Sequence, residues 1–69
     1  SLKTVDFIAQ ACAYRGMGEI YLAQKSDKAQ DYFYQSIQLF EKAEDKIGAD
    51  EVRALLQNGK QSDWAEEKQ

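Results

Sequence analysis

From Val5 to Leu22, apolar side chains recur every three or four residues along two flanks of one helix. Val5, Ile8, Ala9, Cys12, Gly16 and Ile20 form one stripe, and Phe7, Ala11, Tyr14, Gly18, Tyr21 and Leu22 form the other. Two apolar flanks call for two neighbours, as for a helix inside a stack. Lys25-Ser26-Asp27 interrupts the pattern, and Asp27 followed by Gln30 reads as a capping-box variant that opens a second helix. A turn this short makes the two helices antiparallel neighbours. The second stripe runs through Ala29, Tyr32, Phe33, Ser36, Ile37, Phe40, Ala43 and Ile47, with Lys28, Asp31, Gln35, Gln38, Glu41, Lys42 and Asp45 on the other side. Gly48 is expected to end this helix in the left-handed conformation, and Asp50 to cap a third helix with Glu51 in its first turn. The third helix continues through Val52, Leu55 and Leu56. The pattern therefore predicts helices near residues 4–24, 27–47 and 50–58, followed by a weakly held tail at about 60–69 that is polar except for Trp64 and Ala65. This is an all-α fold, an antiparallel hairpin plus a third helix within a single domain, 1–69.

Composition supports that class. The chain has 69 residues, no Pro, four Gly and 43% hydrophobic residues, a balance that favours helix over turn-rich β architecture. A domain this small buries only about 60% of its unfolded surface, so its core is thin. The net charge is −3 and the nine Lys and Arg are spread singly, which leaves no basic cluster for a phosphate backbone and argues against a nucleic-acid partner. No apolar run reaches the roughly 18 to 20 residues of a membrane span. The N-terminus lacks the pattern of an export signal. Cys12 is the only cysteine, so no internal disulfide can form and a cytoplasmic setting is expected. The start at Ser1 suggests either a processed N-terminus or a segment of a longer chain, and the segment is the expectation.

Candidate chemistry is sparse. Without His the chain cannot build a Cys-His or Ser-His pair, a His-bearing zinc site or a Glu-x-x-His di-iron motif. No catalytic residue, metal ligand or cofactor is expected. The acidic pairs Glu44-Asp45, Asp50-Glu51 and Glu66-Glu67 diverge by about 100° on a helix and read as solvated helix ends. Cys12 reads as a small buried or groove-lining residue, Phe33 and Phe40 as core, and Gly16 and Gly18 as sites of close helix packing rather than a phosphate loop.

The segment Tyr14-Arg15-Gly16-Met17-Gly18-Glu19-Ile20-Tyr21, followed by Ala29, Phe33, Ser36, Ile37 and Phe40, resembles the tetratricopeptide repeat over residues 9–59. The long second helix is similar to the longer-repeat variety of that family, found in bacterial peptide-responsive regulators and animal polarity adaptors. Met17 stands where the family usually has Leu, and the inter-helix turn is one residue short. A shift of 41 residues, Ala13 to Ala54, also sets Tyr14 over Leu55, Gly18 over Gly59 and Ala11 over Val52, so one repeat and the first helix of another are present. The resemblance implies a right-handed helical stack that binds a protein or peptide within a scaffold or regulator. It implies a groove lined by Cys12, Arg15, Glu19, Leu22 and Ala23, extended through the shift to Arg53, Leu56, Lys60 and Trp64. Glu19 stands where the family's chaperone-tail binders carry Asn, which argues against an acidic C-terminal peptide as ligand. The alternatives are a structural or self-associating segment without a ligand, and a three-helix accessory domain of the microtubule-interacting-and-transport type, in which helix three lies between the other two. A chain with so little beyond one repeat is expected to form a symmetric homo-oligomer through Phe7, Ala11 and Tyr14 on helix one and Leu55 or Leu56 on helix three.

Overall fold

A computed structural model describes the backbone of residues 2–68 and the side chains of residues 3–57. Among the described residues the chain forms three helices, α1 (Leu2–Ala23), α2 (Lys28–Lys42) and α3 (Lys46–Lys68), and no strand. The expected class, all-α, is the class observed. The weakly held tail expected near residues 60–69 falls where side chains lie outside the described residues, although the backbone of α3 is helical to Lys68.

Both turns are built the same way. At the end of α1, Lys25 adopts φ 60° and donates its N–H to the Leu22 carbonyl at 2.9 Å, while Ser26 N–H reaches the Tyr21 carbonyl at 2.9 Å. At the end of α2, Glu44 adopts φ 59° and donates to Glu41, while Asp45 N–H reaches Phe40 at 2.8 Å. These are paired Schellman closures, each satisfying two carbonyls that a helix end would leave open. The residue after each left-handed position then caps the next helix. Ser26 Oγ accepts from Lys28 N–H at 3.2 Å, and Asp45 Oδ1 accepts from Gly48 N–H at 3.0 Å.

This arrangement corrects four expectations. α2 ends at Lys42 rather than near Ile47, and Ile47 lies in α3 with 74% of its surface exposed. Gly48 is not a left-handed stop, since its φ is not positive and it sits inside the first turn of α3. Asp50 lies within α3 and accepts from Arg53 at 3.0 Å, which leaves the cap to Asp45. Asp27 is already right-handed helical and makes no side-chain cap bond. The physical reason is common to all four: the chain turns at Lys25 and Glu44, residue types that carry no breaker signal, because the Schellman bonds and the packing on either side outweigh the cost of a left-handed non-glycine.

α2 is the central helix. Its Ala29, Phe33, Ser36, Ile37, Phe40 and Ala43 are buried, and with Ala11 of α1 and Ala49, Val52 and Leu56 of α3 they form the core. The α1–α2 register is antiparallel: Ser36 Oγ donates to the Ala11 carbonyl at 2.7 Å, and Tyr32 stacks on Tyr21 with ring centroids 5.2 Å apart and leans on Tyr14 at 5.9 Å. Each phenylalanine of α2 lies over a glycine of a neighbour. A β-carbon on Gly18 would come within 2.7 Å of the Phe33 ring, and one on Gly48 within 2.6 Å of the Phe40 ring. Burying two aromatic side chains in this way contributes about 1.5 to 3 kcal/mol each.

α1 and α3 both pack on α2 and hardly touch one another, so α3 does not lie between the other two helices. The Cα envelope measures 47 × 21 × 12 Å, a thin strip rather than a closed bundle.

Candidate interaction surface

The α1 helix presents two unlike faces. One carries Ala11 and Gly18, both buried under α2, with Phe7, Ile8, Tyr14, Tyr21 and Leu22 half-buried beside them. The other carries Val5, Ala9, Cys12, Gly16, Ile20 and Ala23, spaced at steps of four, three, four, four and three, which keeps them in line on a helix. Val5 is 61% and Ile20 58% exposed, and Ala9, Cys12 and Ala23 are exposed with them. A β-carbon on Gly16 would meet nothing within 4 Å. Of the two apolar flanks, then, only one is covered within the chain. The surfaces expected to drive self-association are the covered ones: Ala11 is fully buried, Phe7 and Tyr14 lie half-buried against α2, Leu55 is half-buried and Leu56 belongs to the core.

A polar ridge borders the open face. The Arg15 guanidinium lies 3.6 Å from Glu19 on its own helix and donates to Glu51 of α3 at 3.1 Å, tying the two outer helices together across α2. These side chains are one-third to more than one-half exposed, where such pairs contribute roughly 0 to 1 kcal/mol. Their effect is on orientation and on the charge pattern that a partner would meet.

The residues expected to share one groove are divided among three places. Cys12, Glu19 and Ala23 are exposed along or beside the open face of α1, with Arg15 on the bordering ridge. Leu22 is half-buried and packs against the core. Arg53 pairs with Glu41 of α2 and with Asp50 of its own helix, and not with the Arg15–Glu51 ridge. Leu56 is 9% exposed. The side chains of Lys60 and Trp64 lie outside the described residues. Cys12 is a free, exposed thiol rather than a buried one.

An open groove of about 430 Å³ lies between α2 and α3, with Ile37, Leu56 and Tyr34 forming its apolar part and Glu41, Arg53 and Gln57 its polar part. Its arginine is already paired with carboxylates, which reduces its reach for an anionic ligand. Among the described residues no group of three or more Cys, Asp or Glu side chains is arranged to hold a metal ion, and no helix is long and apolar enough to cross a membrane. No buried side-chain nitrogen or oxygen among them lacks a hydrogen-bond partner.

The α1 face was legible as an apolar stripe but not as an open one. Gly16, expected together with Gly18 to be a site of close helix packing, meets no neighbour, whereas Gly18 lies against the Phe33 ring. Comparison with protein-family models, with curated proteins and with solved structures finds no match to this chain.

Proposed function

We propose that this chain is a protein- or peptide-binding helical module of tetratricopeptide-like type, acting within a larger scaffold or regulator through the outer face of α1. The observation that carries this reading is the continuous apolar face from Val5 to Ala23, left open by a helix whose opposite face is packed. Contiguous exposed apolar surface rimmed by polar residues marks an interaction site. The Arg15–Glu19–Glu51 ridge supplies polar specificity at its edge.

The reading assigns no catalysis, metal or cofactor to the chain. Its acidic balance, with a net charge of −3, favours protein over nucleic acid as partner. A single unpaired and exposed thiol favours a reducing compartment such as the cytoplasm. The thin strip of helices, with α3 outside the α1–α2 pair, fits an extendable stack better than a closed three-helix accessory domain.

Selection of a displayed peptide library on the immobilised chain, with Ile20→Glu as counter-selection, tests this function. Peptides that bind the chain and lose binding to the variant support it. No enrichment, or enrichment indifferent to Ile20, overturns it.

A further inference from the structure

Glu44 holds the break between α2 and α3 in left-handed backbone, at φ 59°, and the stretch Ala43-Glu44-Asp45-Lys46 contains neither glycine nor proline. Helix ends of this kind commonly place glycine at that position, because a β-carbon there meets the following carbonyl. The apolar pattern of α2 also runs on through the break. Ala29, Ser36 and Ala43 recur at steps of seven, and Ile47 follows one turn later in the same line. In the folded chain Ile47 lies instead in α3, 74% exposed. We propose that this break is a hinge: it straightens to join α2 and α3 in one helix, and two copies of the chain then exchange α3, each packing on the partner's α2.

The contacts that close the chain name the occupant. Opening the hinge bares the side of α2 against which Ala49, Val52 and Leu56 are buried, and only the same segment of a second copy carries all of those side chains in the same order. Exchange restores Phe40 over a Gly48 and the ion pair between Glu41 and an Arg53, now between chains. The left-handed residue disappears at the same time. Swapping of an identical element is a low-cost route to a dimer, and a short hinge under strain promotes it. The joined helix, from Lys28 to Lys68, would be about 60 Å long at 1.5 Å per residue, against a longest dimension of 47 Å for the closed strip.

α3 is the helix able to leave. It hardly touches α1, and detaching it breaks the partly exposed Arg15–Glu51 pair but none of the contacts that hold the α1–α2 hairpin. Those contacts are the Ser36 bond to Ala11, Phe33 over Gly18 and the stacked Tyr21 and Tyr32. Lys25, the other left-handed residue, stands where the apolar pattern does stop, at Lys25-Ser26-Asp27, so straightening there would continue no stripe. The exchange does not depend on the outer face of α1.

To test it, the full chain is heated through its melting transition at about 500 µM under reducing conditions, cooled, and diluted to about 5 µM for native mass spectrometry. The expected result is a two-chain species that survives dilution and is absent from chain refolded at the lower concentration. Glu44→Gly, which relieves the closed turn and weakens the joined helix, should lower its yield. Asp45→Ala, which removes a cap on Gly48 needed only in the closed form, should raise it. A lost cap shifts each hinge about fivefold, and a dimer contains two hinges, so association should strengthen about 25-fold.

Mixing two charge-reversed chains, Glu41→Arg and Arg53→Glu, reads the exchange itself. Neither alone can set opposite charges at positions 41 and 53, closed or exchanged, whereas a mixed dimer with exchanged α3 helices restores both pairs. Mixed dimer should exceed the two like dimers together at least about fivefold, against parity by chance. Monomer alone after annealing, a dimer indifferent to Glu44→Gly and Asp45→Ala, or parity in the mixture overturns the proposal. A dimer lost on Ile20→Glu but indifferent to the hinge variants forms through the outer face of α1, which overturns the exchange and leaves the interaction reading of that face standing.

Discussion

The Phe33 ring closes on the backbone of Gly18, leaving 2.7 Å between two of its carbons and the place a β-carbon would occupy. Phe33 is 1% exposed and cannot swing into solvent to relieve a substitution. Gly18→Ala is therefore expected to destabilise the chain by about 1 to 3 kcal/mol, the usual cost of overpacking. Gly16→Ala, two residues away on the open face, should instead stabilise it by up to about 1 kcal/mol. Thermal melts of the two variants check the opposite signs. Equal shifts from the two alanines would show that Phe33 moves aside.

Lys25 and Glu44 hold left-handed backbone, at φ 60° and 59°. Replacing either with glycine removes the clash between Cβ and the following carbonyl, partly offset by the extra freedom glycine gives the unfolded chain. Each single variant should gain about 0.5 to 1 kcal/mol, or roughly 4 to 8 °C per kcal/mol for a chain of this size. Urea titration of Lys25→Gly, Glu44→Gly and the double variant measures the gain, and near-additivity is expected because the two turns lie at opposite ends of α2.

Ser36 is fully buried and spends its hydroxyl on the Ala11 carbonyl at 2.7 Å. Ser36→Ala keeps the volume small enough for α1 to stay close but deletes the donor, at an expected cost of about 0.5 to 1.5 kcal/mol. Phe33→Ala, which opens a cavity at the centre of the strip, should cost about 3 to 5 kcal/mol. A domain of this length has about 3 to 10 kcal/mol in total, so that variant is expected to be largely unfolded at room temperature by circular dichroism.

The fold class and the core of α2 were written openly in the sequence, because Ala29, Phe33, Ser36, Ile37 and Phe40 recur at helical spacing and are all buried. The second turn was not. Glu44 and Asp45 look like any exposed pair on a continuing helix, and only tertiary packing of Phe40 onto Gly48 fixes the break there. Reading Gly48 as the stop shifted α3 downstream, which misplaced its cap from Asp45 to Asp50. The candidate surface was half legible. Spacing identifies both apolar flanks of α1, but it cannot say which flank α2 covers, since Ala11 and Ala9 are chemically alike and differ only in which way they face. Arg53 was grouped with Arg15 by the repeat shift, whereas α3 turns Arg53 toward Glu41 and offers Glu51 to Arg15.

The ridge arginine separates orientation from stability. Arg15→Ala breaks both the contact to Glu19 and the bond to Glu51, yet with these side chains partly in water the melting point should move by no more than about 1 kcal/mol equivalent. Binding of selected peptides should change more, because a charged group at the border of an apolar face sets registry and association rate. A large loss of stability with unchanged binding would place Arg15 in the scaffold alone.

The central claim is that one face of α1 is kept apolar for a partner rather than for the core, and Ile20→Glu addresses it most directly. In a single preparation at about 1 µM, thermal melting and binding of the selected peptides are recorded side by side, since burial of a charge in a folded core and removal of a docking residue act on different readouts. The account predicts a melting temperature within about 2 °C of the parent chain, as for a surface substitution, together with loss of binding by at least about tenfold. A collapse of the melting temperature comparable to that of Phe33→Ala, or full binding retained by the variant, would contradict it.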